Sequence, residues 1–229
     1  MKIGILETGP APETLRDFGD YPSMFRSFLD GHGFTFETYH VKDMDFPTSA
    51  TACDGWIITG SKYGVYEDHA FIPPLEQLIR DALDAGRPVV GICFGHQIMA
   101  QALGGKVEKF AGGWSVGPTD YDFDGQVLRL NAWHQDQVVA PPPGARTIAS
   151  SPFCRHAGLA YGDKGLSVQP HPEFGNAFID ELIETRGRGV VPDTLLDAAK
   201  ERLSLSTDGT VLAARIADFF KQHAGRTAA

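Results

Sequence analysis

The chain has 229 residues, 42% of them hydrophobic, and a formal net charge of −9 at pH 7. This length and apolar content suffice for one α/β domain with a sizeable core, and disorder is not indicated. The acidic balance, with no basic cluster in the sequence, argues against partners such as nucleic acid or an anionic membrane. Small-molecule chemistry is therefore expected.

Three cysteines stand at distant positions, Cys53, Cys93 and Cys154, and give neither a disulfide framework nor a metal-ligand spacing. We therefore predict a protein of the reducing cytoplasm. No secretory leader is indicated at the start, and no apolar run approaches membrane-spanning length.

The first half of the chain alternates short apolar runs with helical patterns. The runs predict strands over residues 2–6, 35–41, 55–59 and 89–92, with helices over 21–29 and 72–85 and after Cys93. Such alternation predicts a mostly parallel, doubly wound sheet with helices on both faces. Its functional site is expected at the carboxyl ends of the strands.

The second half changes to short strands separated by Gly, Pro and Asp-Gly turns, followed by helices. We predict strands over 106–110, 116–123, 126–130 and 146–150 and a hairpin over 159–169, which add a small antiparallel sheet. Helices are predicted over 176–184, 192–203 and 209–222, with fraying at 225–229. The expected organisation is one domain, 1–229, with a core of 1–175 and C-terminal helices over 176–224.

A single cysteine stands between a predicted strand and a predicted helix. The order Gly91-Ile-Cys93-Phe-Gly95 has the form of a nucleophile elbow, in which glycines allow a sharp, strained turn that exposes the central side chain. The start of the helix places positive potential near the thiol and favours the thiolate. Cys93 is therefore the candidate nucleophile.

His171 and Glu173 stand two residues apart at the end of an extended run, with Pro172 between them. This spacing directs both side chains to one face. A carboxylate bonded to one imidazole nitrogen fixes the tautomer and supports the charged ring when the other nitrogen takes the thiol proton. We therefore predict a triad of Cys93, His171 and Glu173.

These motifs resemble those of the class I glutamine amidotransferases, within which the likeness is closest to the glutaminase part of GMP synthase. Residues 91–97 match the family's GxCxGxQ elbow, residues 171–173 match its HPE motif, and the likeness runs from residue 2 to about 174. The resemblance implies a flavodoxin-like fold, no cofactor or metal, and hydrolysis of the glutamine side-chain amide through a cysteinyl γ-glutamyl thioester.

The resemblance also implies further roles. Backbone N–H groups of Phe94, with Gly60 or Ser61, form the oxyanion hole, and the substrate's amino-acid end lies against Gln97 and the segment Trp114, Ser115, Val116 and Gly117. Because no nucleotide-binding P-loop follows Glu173, ammonia is expected to pass to a separate synthetase. The alternative is a γ-glutamyl hydrolase or peptidase that acts alone.

Other residues carry less specific signals. Cys53 and Cys154 are interpreted as buried hydrophobic residues. His96 could contact substrate, but a helix-surface residue that supports the elbow loop is the favoured interpretation. For His134 and Asp136, a role in the cleft and a structural role stay equally open. The aromatic residues could form a pocket or simply pack: Tyr63, Tyr66, Trp114 and Trp133.

Two further functional classes are alternatives to a glutaminase. In an α/β-hydrolase with a cysteine elbow the acid precedes the histidine in the chain, and here it follows. A noncatalytic binding module on the same fold would have lost the nucleophile or the base, and this sequence retains both. The oligomeric state is not indicated by the sequence.

Overall fold

The computed structural model describes residues 1–223. The predictions for residue 224 and for fraying of 225–229 lie outside the described residues. Eleven strands are present in the described part: β1 Lys2–Leu6, β2 Thr35–Tyr39, β3 Gly55–Ile58, β4 Val89–Ile92, β5 Lys106–Lys109, β6 Ser115–Phe123, β7 Gln126–His134, β8 Asp136–Ala140, β9 Ala145–Ser150, β10 Gly158–Tyr161 and β11 Gly165–Val168.

Nine of these strands form one sheet in the order β2-β1-β3-β4-β11-β10-β9-β6-β7. The five strands from β2 to β11 are mutually parallel, and the remaining neighbours pair antiparallel. The predicted mixed architecture, mostly parallel with a small antiparallel sheet, is therefore confirmed. The small sheet consists of β5 and β8, while the other antiparallel strands extend the main sheet.

Two strand predictions fell short in the same region. The strand predicted over 126–130 continues to His134, and β8 was not predicted as a strand. Polar residues interrupt the alternation here, since His134, Gln135 and Asp136 stand where the chain passes from one strand to the next. Pairing with β5 and β6 supplies the backbone partners that local propensity does not indicate.

The α-helices agree with their predicted positions to within a few residues. After α4 the chain continues in a π-helical turn, Ile183–Gly187, which the helical spacing did not distinguish from an α-helix. The α-helices are α1 Tyr21–Phe28, α2 Ile72–Asp84, α3 Phe94–Ala102, α4 Asn176–Leu182, α5 Asp193–Glu201 and α6 Gly209–His223. No helix within residues 1–223 has the length and hydropathy that crossing a bilayer requires.

The core lies on both faces of the main sheet because successive strand side chains point to opposite faces. On β3, Trp56 and Ile58 pack in a cluster with α2 and α3, whereas Ile57 packs in a second cluster with α1 and α6. A third cluster joins α4 and α5 to β6. Helices therefore cover both faces and leave the strand ends open for a site.

Candidate active site

The carboxyl ends of the central parallel strands meet at one edge of the sheet. Thr8 follows β1, Gly60 follows β3, Cys93 follows β4, and His171 follows β11. These four strands are consecutive in the sheet, in the order β1-β3-β4-β11. The fold thereby collects loops that are distant in sequence into one place, as expected for a doubly wound sheet.

Cys93 occupies a strained backbone position between β4 and α3. Its φ of 53° and ψ of −103° are outside the conformations that side chains with a Cβ ordinarily adopt. The Cys93 N–H donates to Val168 O of β11 at 2.9 Å, and the Cys93 carbonyl accepts from the Gln97 N–H of α3. The strain is held by the strand on one side and the helix on the other.

Glycines on both sides of Cys93 make this turn sterically possible. A Cβ added at Gly91 would lie 2.3 Å from Gly95 O, and one added at Gly95 would lie 2.4 Å from Ile58 O. Both obstacles are backbone atoms, which cannot turn aside as a flexible side chain can. The predicted elbow is thus explained by close backbone contact at two glycines.

Replacing Gly95 with alanine is expected to destabilise the protein by about 1–3 kcal/mol, because the added methyl group must displace β3. The free energy of unfolding in urea measures this effect. Gly175→Ser is the matched control, since Gly175 has open space around it and stands at the N-cap of α4, where serine is favoured. Equal stability of the two variants would contradict the steric explanation.

His171 and Glu173 are in direct contact beneath the protein surface. His171 Nδ1 lies 2.7 Å from Glu173 Oε1, and their side chains are 5% and 1% exposed. The His171 N–H donates to Asn131 O of β7 at 2.8 Å. The ring of Phe174 stacks on the His171 imidazole with 4.0 Å between centroids and 4° between planes. The imidazole is therefore held by a carboxylate at its edge and by an aromatic ring on its face.

The charges around His171 favour its protonated form. Burial lowers the pKa of His171, but the charges of Glu173 and Cys93, with hydrogen bonds to both, outweigh burial and raise it. A Cβ added at Gly60 would lie 2.8 Å from His171 Cε1 and 3.8 Å from Cys93 Cβ, so both side chains flank this glycine. The structure thus brings together Cys93, His171, Glu173 and Gly60.

The loop after β3 is fixed by two buried threonine hydroxyl groups. Thr8 Oγ1 lies 3.0 Å from Gly60 O and 3.1 Å from Thr59 O, and Thr59 Oγ1 lies 3.1 Å from Gly60 O. The Ser61 hydroxyl in turn donates to Thr8 O at 2.9 Å. Within residues 1–223, no hydrogen bond uses the N–H of Gly60, Ser61 or Phe94. These three N–H groups, which the sequence predicted for an oxyanion hole, are therefore available to donate hydrogen bonds to a ligand.

A cavity of about 490 Å³ opens above Cys93 and His171. Gln97 and Trp114 line it, together with His134 and Asp136, for which the sequence left two interpretations open. The Gln97 amide donates to Asp136 O at 3.0 Å, so the cavity side of α3 is tied to β8. Tyr63, Tyr66 and Trp133 line the cavity as well, which places the aromatic cluster there.

The rest of the segment predicted to bind substrate lies behind Trp114. Ser115, Val116 and Gly117 are buried on β6, and within residues 1–223 they are not among the residues that line the cavity. Gly117 has a φ of 75°, and a Cβ there would lie 2.9 Å from Ala199 Cβ of α5. In the described structure this part of the segment packs against a helix. Its role toward substrate stays a prediction.

The interpretation of His96 as a helix-surface residue is wrong. His96 is completely buried, and its Nδ1 lies 2.7 Å from Ser167 Oγ of β11. Burial lowers the pKa of His96 to about 3, so the ring is neutral. Helical periodicity did not reveal this because both faces of α3 are buried in the domain. Cys53 and Cys154 are buried as interpreted, and burial raises the pKa of both thiols.

Several cavity residues had no signal in the sequence. Tyr21 at the start of α1 stacks on Phe174, at 6.0 Å between centroids, and Arg186 reaches the cavity from the π-helical turn. These residues carry no motif of their own, and their role in the site depends on which strand ends are neighbours.

The fold and this cluster of side chains agree with the comparisons to known proteins. The family model for glutamine amidotransferase class-I matches residues 24–182, so the chain belongs to the class I glutamine amidotransferase family. A solved glutamine amidotransferase from Methylobacillus flagellatus has a TM-score of 0.77 and 21% identity over 98% of this chain and 96% of that chain. This likeness concerns the fold.

Two named relatives differ in what they are said to do. Gamma-glutamyl peptidase 4 of Arabidopsis thaliana is 30% identical over 186 residues, which is 74% of each chain. A glutamine-hydrolysing GMP synthase of Cupriavidus pinatubonensis is 39% identical over 137 residues, which is 52% of this chain and 24% of that protein. Membership of the class I glutamine amidotransferase family, which the elbow and HPE motifs predicted, is confirmed.

Proposed function

We propose that this protein hydrolyses γ-glutamyl amides through a thioester on Cys93. The observation that carries the proposal is the joint placement of Cys93, at a strained turn, and the buried His171–Glu173 pair on either side of Gly60. A buried histidine whose pKa is raised by a carboxylate and a thiolate is suited to hold the thiolate–imidazolium pair.

The proposed reaction begins with attack of the Cys93 thiolate on the δ-carbon of the γ-glutamyl amide. The carbonyl oxygen becomes negative and accepts hydrogen bonds from the N–H groups of Phe94 and of Gly60 or Ser61. His171 then donates its proton to the departing nitrogen as the C–N bond breaks. A water molecule, deprotonated by His171, attacks the thioester and releases glutamate and the thiol.

The fixed loop after β3 supports the assignment of the oxyanion hole. Its carbonyl groups at Thr59 and Gly60 are held by the hydroxyl of Thr8, so the peptide planes are set before substrate arrives. Removing one donor of this kind in other enzymes raises the barrier by about 2.7–4 kcal/mol. Preorganised backbone donors are therefore sufficient to matter without any side-chain chemistry.

The cavity favours a leaving amine larger than ammonia. Six aromatic residues line its wall, and ammonia, the amine that glutamine releases, needs no such apolar surface. A relative named as a γ-glutamyl peptidase covers 74% of this chain. The aromatic residues of the cavity wall are Tyr21, Tyr63, Tyr66, Trp114, Trp133 and Phe174. We therefore prefer a γ-glutamyl hydrolase or peptidase as the function, whereas the sequence alone favoured a subunit that supplies ammonia.

The second candidate function is a glutaminase subunit that passes ammonia to a separate synthetase. Its support is the 39% identity to a GMP synthase across 137 residues. In that case free glutamine is the substrate, and activity depends on the partner. The two candidates differ in what the purified protein does alone.

A panel of amides tests the proposal. Release of glutamate is measured from glutamine, γ-glutamylmethylamide and γ-glutamyl dipeptides with the purified protein and no partner. The peptidase proposal predicts a kcat/KM for the dipeptides at least tenfold above that for glutamine. A preference for glutamine would favour the ammonia-supplying subunit, and no glutamate from any amide would refute both.

A further inference from the structure

The charged groups that line the cavity are unequally partnered. Each carboxylate has a polar partner within the protein: Glu13 with Arg16 at 2.9 Å, Glu67 with His69 at 2.8 Å, and Asp136 with the Tyr66 hydroxyl at 2.9 Å. The lysine and arginine side chains that line the cavity form no ion pair or hydrogen bond within residues 1–223: Lys62, Lys109 and Arg186. The cavity therefore offers positive charge to a ligand.

Arg186 differs from the two lysines in the backbone structure that carries it. It belongs to the π-helical turn Ile183–Gly187, within which the Thr185 hydroxyl donates to Glu181 O at 2.7 Å. Leu182 and Arg186 both line the cavity. At Gly187 a Cβ would lie 3.2 Å from Trp133, so the turn is packed directly against an aromatic wall of the cavity. π-Helical turns of this kind are frequent at functional sites.

Two basic residues near Arg186 do have acidic partners. Two residues further on, Arg188 pairs with Asp193 and Asp197, each at 3.0 Å. Lys200 forms ion pairs with Glu184, at 2.8 Å, and with Asp180. Acidic side chains of this region are thus paired with other cations. Arg186, which is exposed and lines the cavity, has no ion-pair partner within residues 1–223.

We propose that Arg186 binds a carboxylate group of the substrate, and this inference rests on the proposed function. Every γ-glutamyl amide carries an α-carboxylate, and a γ-glutamyl amino acid or peptide carries a second one on its leaving amine. A guanidinium presents two parallel N–H donors that match the two oxygens of a carboxylate. Arg186 lies just beyond residues 24–182, which the family model matches.

Binding measurements test the proposal without depending on turnover. Calorimetry on the Cys93→Ala protein uses three probes: L-glutamate, γ-glutamylmethylamide and γ-glutamylglycine. Adding Arg186→Gln is expected to weaken binding at least tenfold, since a charge-assisted hydrogen bond is lost. Equal weakening of all three probes assigns Arg186 to the α-carboxylate. Weakening of γ-glutamylglycine alone assigns it to the carboxylate of the leaving amine.

Arg188→Gln in the same background is the matched control and is expected to bind all three probes as tightly as its parent. Arg186→Lys is expected to recover part of the affinity, because charge is kept while the fork of donors is lost. The proposal is overturned if Arg186→Gln binds every probe within twofold of its parent, or if the parent binds none of them. Failure of the proposed function is seen separately, as absence of glutamate release by the wild-type protein.

Discussion

The Cys93→Ala protein is expected to release glutamate from γ-glutamyl amides about 10⁶-fold more slowly than the wild type, while it stays folded. The thiolate is the only group proposed to form the covalent intermediate, and loss of a nucleophile in comparable triads has an effect of this size. Alanine has the same Cβ as cysteine and fits the strained turn equally well. The kcat and the free energy of unfolding are the two quantities to compare.

Covalent labelling gives a second measurement of the same prediction. A glutamine-analogue electrophile is expected to label the wild-type protein once, at Cys93, and not to label Cys93→Ala. Cys154→Ala is the control, because the Cys154 thiol is 1% exposed and burial raises its pKa to about 12. Label on Cys53 or Cys154 in the Cys93→Ala protein would contradict the assignment of the nucleophile.

The second large effect is expected for Glu173→Gln, which removes the charge beside His171 and keeps the side-chain volume. The kcat/KM is expected to fall by about 10²–10⁴-fold, since the imidazolium loses the carboxylate that stabilises it. The charge of Glu173 raises the pKa of His171, so its removal lowers that pKa. Activity that needs the imidazolium as proton donor is then lost at a lower pH.

The pH profile of kcat/KM distinguishes this effect from simple misfolding. In Glu173→Gln the alkaline limb is expected to move toward lower pH, whereas a fall in the amount of folded protein lowers the whole profile equally. Glu37→Gln is the control, because Glu37 pairs with Lys2 on the exposed edge strand and faces no part of the cavity. An alkaline limb that keeps its position in Glu173→Gln would refute the proposed role of the carboxylate.

The stacked rings of Tyr21, Phe174 and His171 suggest how the imidazole keeps its orientation through the proposed reaction. Phe174 is parallel to the His171 ring, and Tyr21 stacks on Phe174 with 26° between the ring planes. An aromatic face is favourable to a cation and cannot accept the proton that the imidazolium must give to the leaving amine. The stack therefore complements Glu173, which fixes the edge of the ring.

Elements of the protein that have local signals were predictable from the sequence. The elbow could be predicted because close backbone contacts require glycine at positions 91 and 95. The strands β1, β3 and β4 could be predicted because burial on both faces of the sheet gives them short apolar runs. His171 and Glu173 were predictable as a pair from their spacing, although the extended run expected there is wrong: Pro172 and Glu173 lie in a turn, and the Phe174 N–H lies 3.4 Å from His171 O. Family membership followed from these same motifs.

The tertiary structure alone decided the features that depend on which loops become neighbours. β8 forms through pairing with β5, the burial of His96 follows from packing around α3, and Arg186 reaches the cavity because a π-helical turn carries it there. None of these has a local pattern, since backbone pairing partners, burial and the partnering of a charge are set by residues far away in the chain. Short sequence motifs therefore indicate the chemistry of the nucleophile, whereas the shape and charge of the surrounding cavity depend on the tertiary structure.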